Sequence, residues 1–175
     1  MARQDYPQRK ANRLVTWDYS NPGAYFITIC TLERKCILSS ITVGGGVLDA
    51  PCLALTERGK LVEDCLLEII RYSPSFTLDN YVIMPNHLHL LVSLANDEVL
   101  KTSSSTKANA AIPHFVSTLK RFTNKASGEE LWQRSYHDHV IRNDRDYQEI
   151  WQYIDNNPAR WVEDCCAPKE LFTST

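Results

Sequence analysis

Two histidines separated by one leucine, His87 and His89, are the residues of this sequence best suited to hold a metal ion. The segment around them, 81–92, is rich in aliphatic and β-branched residues, which predicts a strand. Successive side chains of a strand face opposite ways, so both imidazoles share one face while Leu88 turns into apolar packing. Imidazole is the commonest protein metal ligand. A bare pair of this kind more often makes ordinary hydrogen bonds, so other residues are needed to decide whether it binds a metal ion.

A second pair, Tyr153 and Asn157, lies near the other end of the chain. On a helix, residues four apart project from the same face about one turn from each other. Tyrosine is a recognised covalent nucleophile, and an amide oxygen can complete an oxygen-and-imidazole site for a hard divalent ion. Alone, Tyr153 would be a packing residue beside Trp151.

Rival residues of the same types occur between these pairs. His137 and His139 flank the charged Asp138, which lacks the apolar character that would seat a strand in the core, so they predict the edge of a sheet or a segment that faces DNA. Tyr136 and Tyr147 are rival nucleophiles, but neither is followed four residues later by an amide or a carboxylate.

The elements that position these residues follow from periodicity and turn signals. Strands are predicted at 24–31, 36–40, 76–84, 87–94 and 136–142. Helices are predicted after a Thr56 cap up to Ser73, from Pro113 to Ser127, and after an Asp144 cap to a point near Pro158. This order, β-β-α-β-β-α-β-α, predicts an α+β fold with an antiparallel sheet and helices mainly on one face. A polar, Ser/Thr-rich loop is predicted at 96–106.

The composition predicts one domain in a reducing compartment. The chain has 175 residues, 43% of them hydrophobic, and a formal charge of -2, which gives no global sign of nucleic-acid binding. Its six cysteines form no CxxC pair, and neither a leader nor an apolar run of membrane-spanning length is visible, so a cytoplasmic protein is expected. We expect a basic arm at 1–18, one domain at 19–164 and a tail at 165–175.

Four sequence blocks together resemble the REP-associated tyrosine transposases, relatives of the small single-tyrosine insertion-sequence transposases of the HUH type. The blocks are SNPGAYFITICT, MPNHLHLLV, LWQRSYHDHVIRNDRDY and YIDNNP. The resemblance covers roughly Tyr19 to Trp161. It implies a ferredoxin-like (RRM-like) sheet, Mg²⁺ or Mn²⁺ as cofactor, and cleavage of single-stranded DNA beside an imperfect hairpin. It also implies a protein that works as a monomer or homodimer, associated with the nucleoid of a prokaryote.

Matched residue by residue, the resemblance puts the family's metal-binding histidines on His87 and His89, its nucleophile on Tyr153 and its third metal ligand on Asn157. The expected reaction is attack of the tyrosine on a metal-polarised phosphate, giving a 5′-phosphotyrosine and a free 3′-OH. Because the phosphotyrosine keeps the energy of the cleaved phosphodiester bond, a second 3′-OH can reverse the step and join strands.

Candidate DNA contacts are scattered basic residues. For each of them, a solvent-exposed position without a DNA contact is about as common an explanation. They are Arg9, Lys10, Arg13, Lys107, Lys120, Arg121, Lys125 and, by the resemblance, His139. Trp132, Tyr136 and Trp151 are candidates for stacking on bases, although core packing is the commoner role of a tryptophan.

Three other functions fit parts of this pattern. A nicking enzyme of the same chemistry would cut without rejoining. A non-catalytic RNA- or DNA-binding module on a ferredoxin-like sheet would bind without a covalent adduct. A zinc hydrolase built on the two histidines would remain active without the tyrosine, although an amide ligand argues mildly against zinc.

Overall fold

The computed structural model describes residues 17–42, 51–95 and 110–161. The strands are β1 (Gly23–Cys30), β2 (Ser39–Thr42), β3 (Cys52–Leu55), β4 (Phe76–Met84), β5 (His87–Leu94) and β6 (His137–Val140). The helices are α1 (Glu57–Arg71), α2 (Ala111–Ser127) and α3 (Asp144–Asn156), with one 3-10 turn at Leu32–Arg34. The predicted basic arm with Arg9, Lys10 and Arg13, the loop at 96–106, Lys107 and the C-terminal tail lie outside the described residues.

The main sheet has four strands in the order β4-β5-β1-β6, and every neighbouring pair is antiparallel. Without the small β2-β3 hairpin, the chain order is β-α-β-β-α-β, with α1 and α2 as the two connections. This is the ferredoxin-like arrangement, and the α+β prediction is confirmed.

The two faces of the sheet have different partners. Alternate side chains of β1 and β5, including Ile27 and Leu90, are fully buried against α1 and α2 through residues such as Leu66 and Leu119. The third helix, α3, packs instead on the opposite face, along β4 and β5. Two of the three described helices thus share one face, as expected, and the third covers the face that carries the histidine pair.

Two local predictions are corrected by hydrogen bonds that the sequence does not display. The second strand begins at Ser39 rather than 36, because the backbone N–H groups of Ile37 and Leu38 donate to the carbonyl of Pro85 instead of pairing with β3. The cap of α3 is Asn143 rather than Asp144, because the Asn143 side chain accepts from the N–H of Asp146 at 2.9 Å.

Gly59, in the first turn of α1, gives a prediction on stability. Replacing an exposed helical glycine by alanine ordinarily stabilises a helix by about 1 kcal/mol. At position 59, however, the added Cβ would overlap the backbone carbonyl oxygen of Leu38 and lie 3.3 Å from the Cβ of Leu55. We expect Gly59→Ala to destabilise the fold by about 2 to 3 kcal/mol, as overpacking does. Urea unfolding monitored by circular dichroism measures the difference.

The matched control is Asp64→Ala, an exposed position on the same helix. It also introduces the best helix former, so its unfolding midpoint should stay the same or rise. An unchanged or higher midpoint for Gly59→Ala would contradict the close approach of α1 to Leu38.

Candidate active site

The two histidines of β5 lie side by side on the face covered by α3. His87 is opposite Cys30 of β1, and His89 is opposite Thr28. Both imidazoles are buried, with 2% and 4% of the residue exposed, and their ring centroids are 4.4 Å apart. Leu88 between them is buried in the core on the other face, as strand alternation requires.

Each imidazole is held through its Nδ1 atom. The Nδ1 of His87 lies 2.7 Å from the side-chain oxygen of Asn86, and the Nδ1 of His89 lies 2.8 Å from the hydroxyl of Thr28. An amide oxygen only accepts, so Nδ1 of His87 is the donor in this hydrogen bond. The Nε2 of His89 is buried and has no hydrogen-bond partner among the described residues.

The electrostatics favour a neutral His89. Burial, and secondarily the charge of His87, hold its pKa well below the ordinary value of 6.5. A neutral imidazole is the form that binds metal ions. His89 therefore offers a buried lone pair or N–H on Nε2, with no partner within the described chain.

The helix α3 brings Tyr153 to this pair. The ring of Tyr153 meets the ring of His89 edge-on at 5.3 Å and that of Phe26 at 5.8 Å. Its residue is 36% exposed, so the side chain is accessible from outside while one side packs on the histidine. The helix is tied to β4 by a hydrogen bond of 2.8 Å from the amide of Asn80 to the carboxylate of Asp155.

Asn157, the C-cap of α3, lies one turn beyond Tyr153. The next turn carries Trp161, whose ring stacks on His87 at 6.2 Å. Tyr153 contacts His89 and Trp161 contacts His87, so Asn157 lies along the chain between two residues that contact the pair. Asn157 is 4% exposed, and its buried side-chain oxygen has no hydrogen-bond partner among the described residues.

The rival tyrosines are in other surroundings. Tyr147 is linked to Asp79, and burial together with that carboxylate raises its pKa. Its ring packs on Trp151 at 6.0 Å rather than on a histidine. Tyr136 is 7% exposed and belongs to the core on the far side of the sheet. Of the three tyrosines compared, Tyr153 is the one in ring contact with the pair.

The predicted DNA contacts are distributed over both faces of the sheet. Arg121 and Lys125 are exposed on α2, on the face opposite the histidine pair. The ammonium of Lys120 donates to the carbonyls of Gln133, Arg134 and Ser135 at 2.7, 3.3 and 2.9 Å. These three bonds use all three of its donors, so we leave Lys120 out of the proposed DNA interface.

His139 lies on the histidine-pair face, opposite Phe26. Its Nε2 is 2.9 Å from a carboxylate oxygen of Asp146, in the first turn of α3. Trp132, by contrast, is buried and donates to the hydroxyl of Thr123 at 2.7 Å, which leaves it unable to stack on a base.

Sequence reasoning missed Thr28, Asn86, Phe26 and Trp161. Asn86 is adjacent to His87, so its amide was a visible signal. Thr28 and Phe26 reach the site only through the register of β1 with β5, which a single sequence does not display.

Within the described ranges, no group of three histidine, cysteine, aspartate or glutamate side chains is arranged to hold a metal ion. In the part of the chain that the structure describes, no helix has both the length and the apolar character to cross a membrane.

Comparison with known proteins points to one group. Residues 57–157, more than half of the chain, match the family described as IS200-like transposase. An uncharacterized protein of Haemophilus influenzae is 28% identical over 171 residues, covering 89% of this chain and 91% of that protein. A REP-associated tyrosine transposase of Escherichia coli is 25% identical over 147 residues, covering 83% and 73%.

Among solved structures, a REP-associated tyrosine transposase bound to a REP hairpin is similar, with a TM-score of 0.57 and 21% identity. The similarity covers 79% of this chain and 67% of that one, and it shows a shared fold.

Proposed function

Because the chain belongs to the IS200-like transposase family, we propose that it cleaves and rejoins single-stranded DNA beside a hairpin through a covalent bond to Tyr153. The observation that carries the proposal is the 5.3 Å contact of the Tyr153 ring with His89, one of two adjacent buried histidines. A hairpin substrate is supported by the similar transposase solved with a REP hairpin.

We propose His87, His89 and Asn157 as the ligands of a Mg²⁺ or Mn²⁺ ion. Two observations support the fit: Nε2 of His89 and the side-chain oxygen of Asn157 are buried without a partner within the described chain. A buried polar atom without a partner costs about 1 to 3 kcal/mol, so both atoms are expected to be satisfied by something else. Imidazole with amide oxygen suits a hard or borderline divalent ion.

A divalent ion held there supplies Lewis-acid polarisation of a phosphate oxygen. The phenol oxygen of Tyr153, which is partly exposed, forms a bond to phosphorus and gives its proton to solvent water. The bond from phosphorus to the 3′ oxygen breaks, and that oxygen takes a proton and leaves as a 3′-OH. The DNA is then held as a 5′-phosphotyrosine, and the reverse step with a second 3′-OH joins strands without ATP.

The four cysteines within the described residues are free thiols, which supports a reducing compartment. We propose that the protein acts on the chromosomal DNA of a prokaryote, in the cytoplasm, as a monomer or homodimer.

Thr28 gives a prediction on metal affinity. Valine has nearly the same shape but lacks the hydroxyl that holds Nδ1 of His89 at 2.8 Å. Removing a hydrogen bond that orients a ligand typically lowers metal affinity about 10- to 100-fold, and we expect this for Thr28→Val. Titration with Mn²⁺ in the absence of DNA, followed by electron paramagnetic resonance of the free ion, measures it. Thr28→Ser keeps the hydroxyl and should bind Mn²⁺ nearly as tightly as wild type. Equal affinities for all three proteins would contradict a role of the Thr28 hydroxyl in positioning His89.

The proposed function is tested with labelled hairpin DNA that carries single-stranded flanks, incubated with the full chain and Mg²⁺ or Mn²⁺. Denaturing electrophoresis detects a covalent adduct, and mass spectrometry of the protease digest locates the DNA. An adduct that requires the metal and lies on Tyr153 is the expected result.

Other outcomes identify the alternatives. Binding without an adduct on a series of such hairpins would favour the non-catalytic module. Cleavage that needs zinc and leaves no adduct would favour the hydrolase. Cleavage through the adduct without any joining of strands would favour the nicking enzyme.

A further inference from the structure

Among the described residues, the β6 edge of the histidine-pair face is exposed. The helix α3 packs along β4 and β5, is tied to β4 through Asn80 and Asp155, and reaches β6 through the pairing of Asp146 in its first turn with His139. The opposite edge of the sheet is β6, and its residues on this face, His137 and His139, are exposed. A ligand therefore reaches the two buried histidines most directly from the β6 edge.

The register of the strands gives the length of this route. Thr28 of β1 lies opposite His89 on one side and opposite His137 on the other. Neighbouring strands are about 4.8 Å apart, so His137 is about 10 Å from His89 across the sheet. The residue between them is the same Thr28 whose hydroxyl contacts His89.

Two exposed arginines flank β6, and neither forms an ion pair with another described residue. They are Arg134, before the strand, and Arg142, after it. Two other guanidinium groups of the described chain, those of Arg58 and Arg145, are paired with glutamates. Arg134 and Arg142 therefore remain available to an anionic ligand.

The backbone at both arginines is fixed. Lys120 donates to the carbonyl of Arg134 and to those of its two neighbours. The N–H of Arg142 donates to the carboxylate of Asp146, which also pairs with His139. These bonds fix the backbone from which the two arginine side chains start, at opposite ends of one strand.

We infer that the single-stranded part of the DNA enters the site across β6, with Arg134 and Arg142 bound to phosphates on either side of His137. Two guanidinium groups at the two ends of one edge strand can bind two phosphates of a single sugar-phosphate backbone. The exposed basic residues of α2 lie on the opposite face and take no part in this path. The inference rests on the proposed function and adds the surface that recognises the substrate.

The test compares two double variants of the full chain. One is Arg134→Ala with Arg142→Ala, and the control is Lys60→Ala with Arg71→Ala, which removes the same net charge from α1 on the opposite face. The probe is a fluorescein-labelled, unstructured single-stranded oligonucleotide, and anisotropy gives its affinity over a series of salt concentrations. All four side chains are exposed, so both variants should melt as wild type does.

We expect the β6 variant to bind more weakly and the control to bind as wild type. The slope of log affinity against log salt should fall by about 0.7 for each phosphate that is no longer neutralised, or about 1.4 for the pair. Equal slopes for wild type and the β6 variant, or weaker binding confined to the control, would overturn the path but leave the proposed function in place. A wild-type chain that binds no DNA would overturn both. A duplex that competes as well as the single strand would overturn the choice of single-stranded DNA.

Discussion

Tyr153→Phe is expected to abolish the covalent protein-DNA adduct and strand cleavage, while the folded chain still binds DNA. Phenylalanine keeps the ring contacts with His89 and Phe26 but has no oxygen to attack phosphorus. The loss of rate should be on the order of 10⁴-fold or more, as for other covalent nucleophiles. Stability should change by less than about 0.5 kcal/mol, because the substituted side chain is partly exposed. Adduct formation on denaturing gels and a thermal melt measure the two effects.

Tyr147→Phe is the matched control, since it makes the same change on the same helix. It removes a phenol that interacts with Asp79 and should cost about 1 kcal/mol of stability, yet it should form the adduct at the wild-type rate. If the adduct survived in Tyr153→Phe and vanished in Tyr147→Phe, the assignment of the nucleophile would be wrong.

Asn157→Leu is expected to stabilise the metal-free fold and to weaken metal binding. The side-chain oxygen of Asn157 is buried without a partner within the described chain. Leucine has a similar volume and no polar atom, so the metal-free variant should be more stable than wild type by about 1 kcal/mol. Wild type should gain about 2.7 kcal/mol in a metal concentration 100 times its dissociation constant, whereas the variant should gain little. Urea unfolding with and without Mn²⁺ measures both effects.

The neighbouring Asn156 offers the control. It is exposed, so Asn156→Leu should keep the stabilisation by Mn²⁺ and gain none without metal. A variant at 157 that still gained the full stabilisation from Mn²⁺ would show that the amide is not a ligand.

The sequence predicted the fold and the family because their signals are local. The bounds of β4 and β5 were predicted correctly, since the turn at Pro85 and Asn86 interrupts two long apolar segments. The predicted fold class, family membership and tyrosine transposase class are confirmed.

The features that the sequence did not predict depend on contacts between distant segments. No local pattern tells which face of the sheet α3 will cover, or that Thr28 will lie opposite His89. The displaced start of β2 has the same origin, because the carbonyl of Pro85, in the turn between β4 and β5, accepts from the backbone N–H groups of Ile37 and Leu38. The roles of His87, His89, Tyr153 and Asn157 stay predictions that the experiments above decide.

The attachment of α3 also bears on how the protein opens. Among its residues only Ile154 is buried, whereas α2 has seven buried residues. Polar contacts, such as those of Asn80 with Asp155 and His139 with Asp146, supply much of the remaining attachment. Segments with few buried apolar contacts open at lower free energy than the core. The helix that carries Tyr153 can therefore detach by local unfolding while the sheet, α1 and α2 stay folded, and its amide hydrogens should exchange with solvent before those of α2.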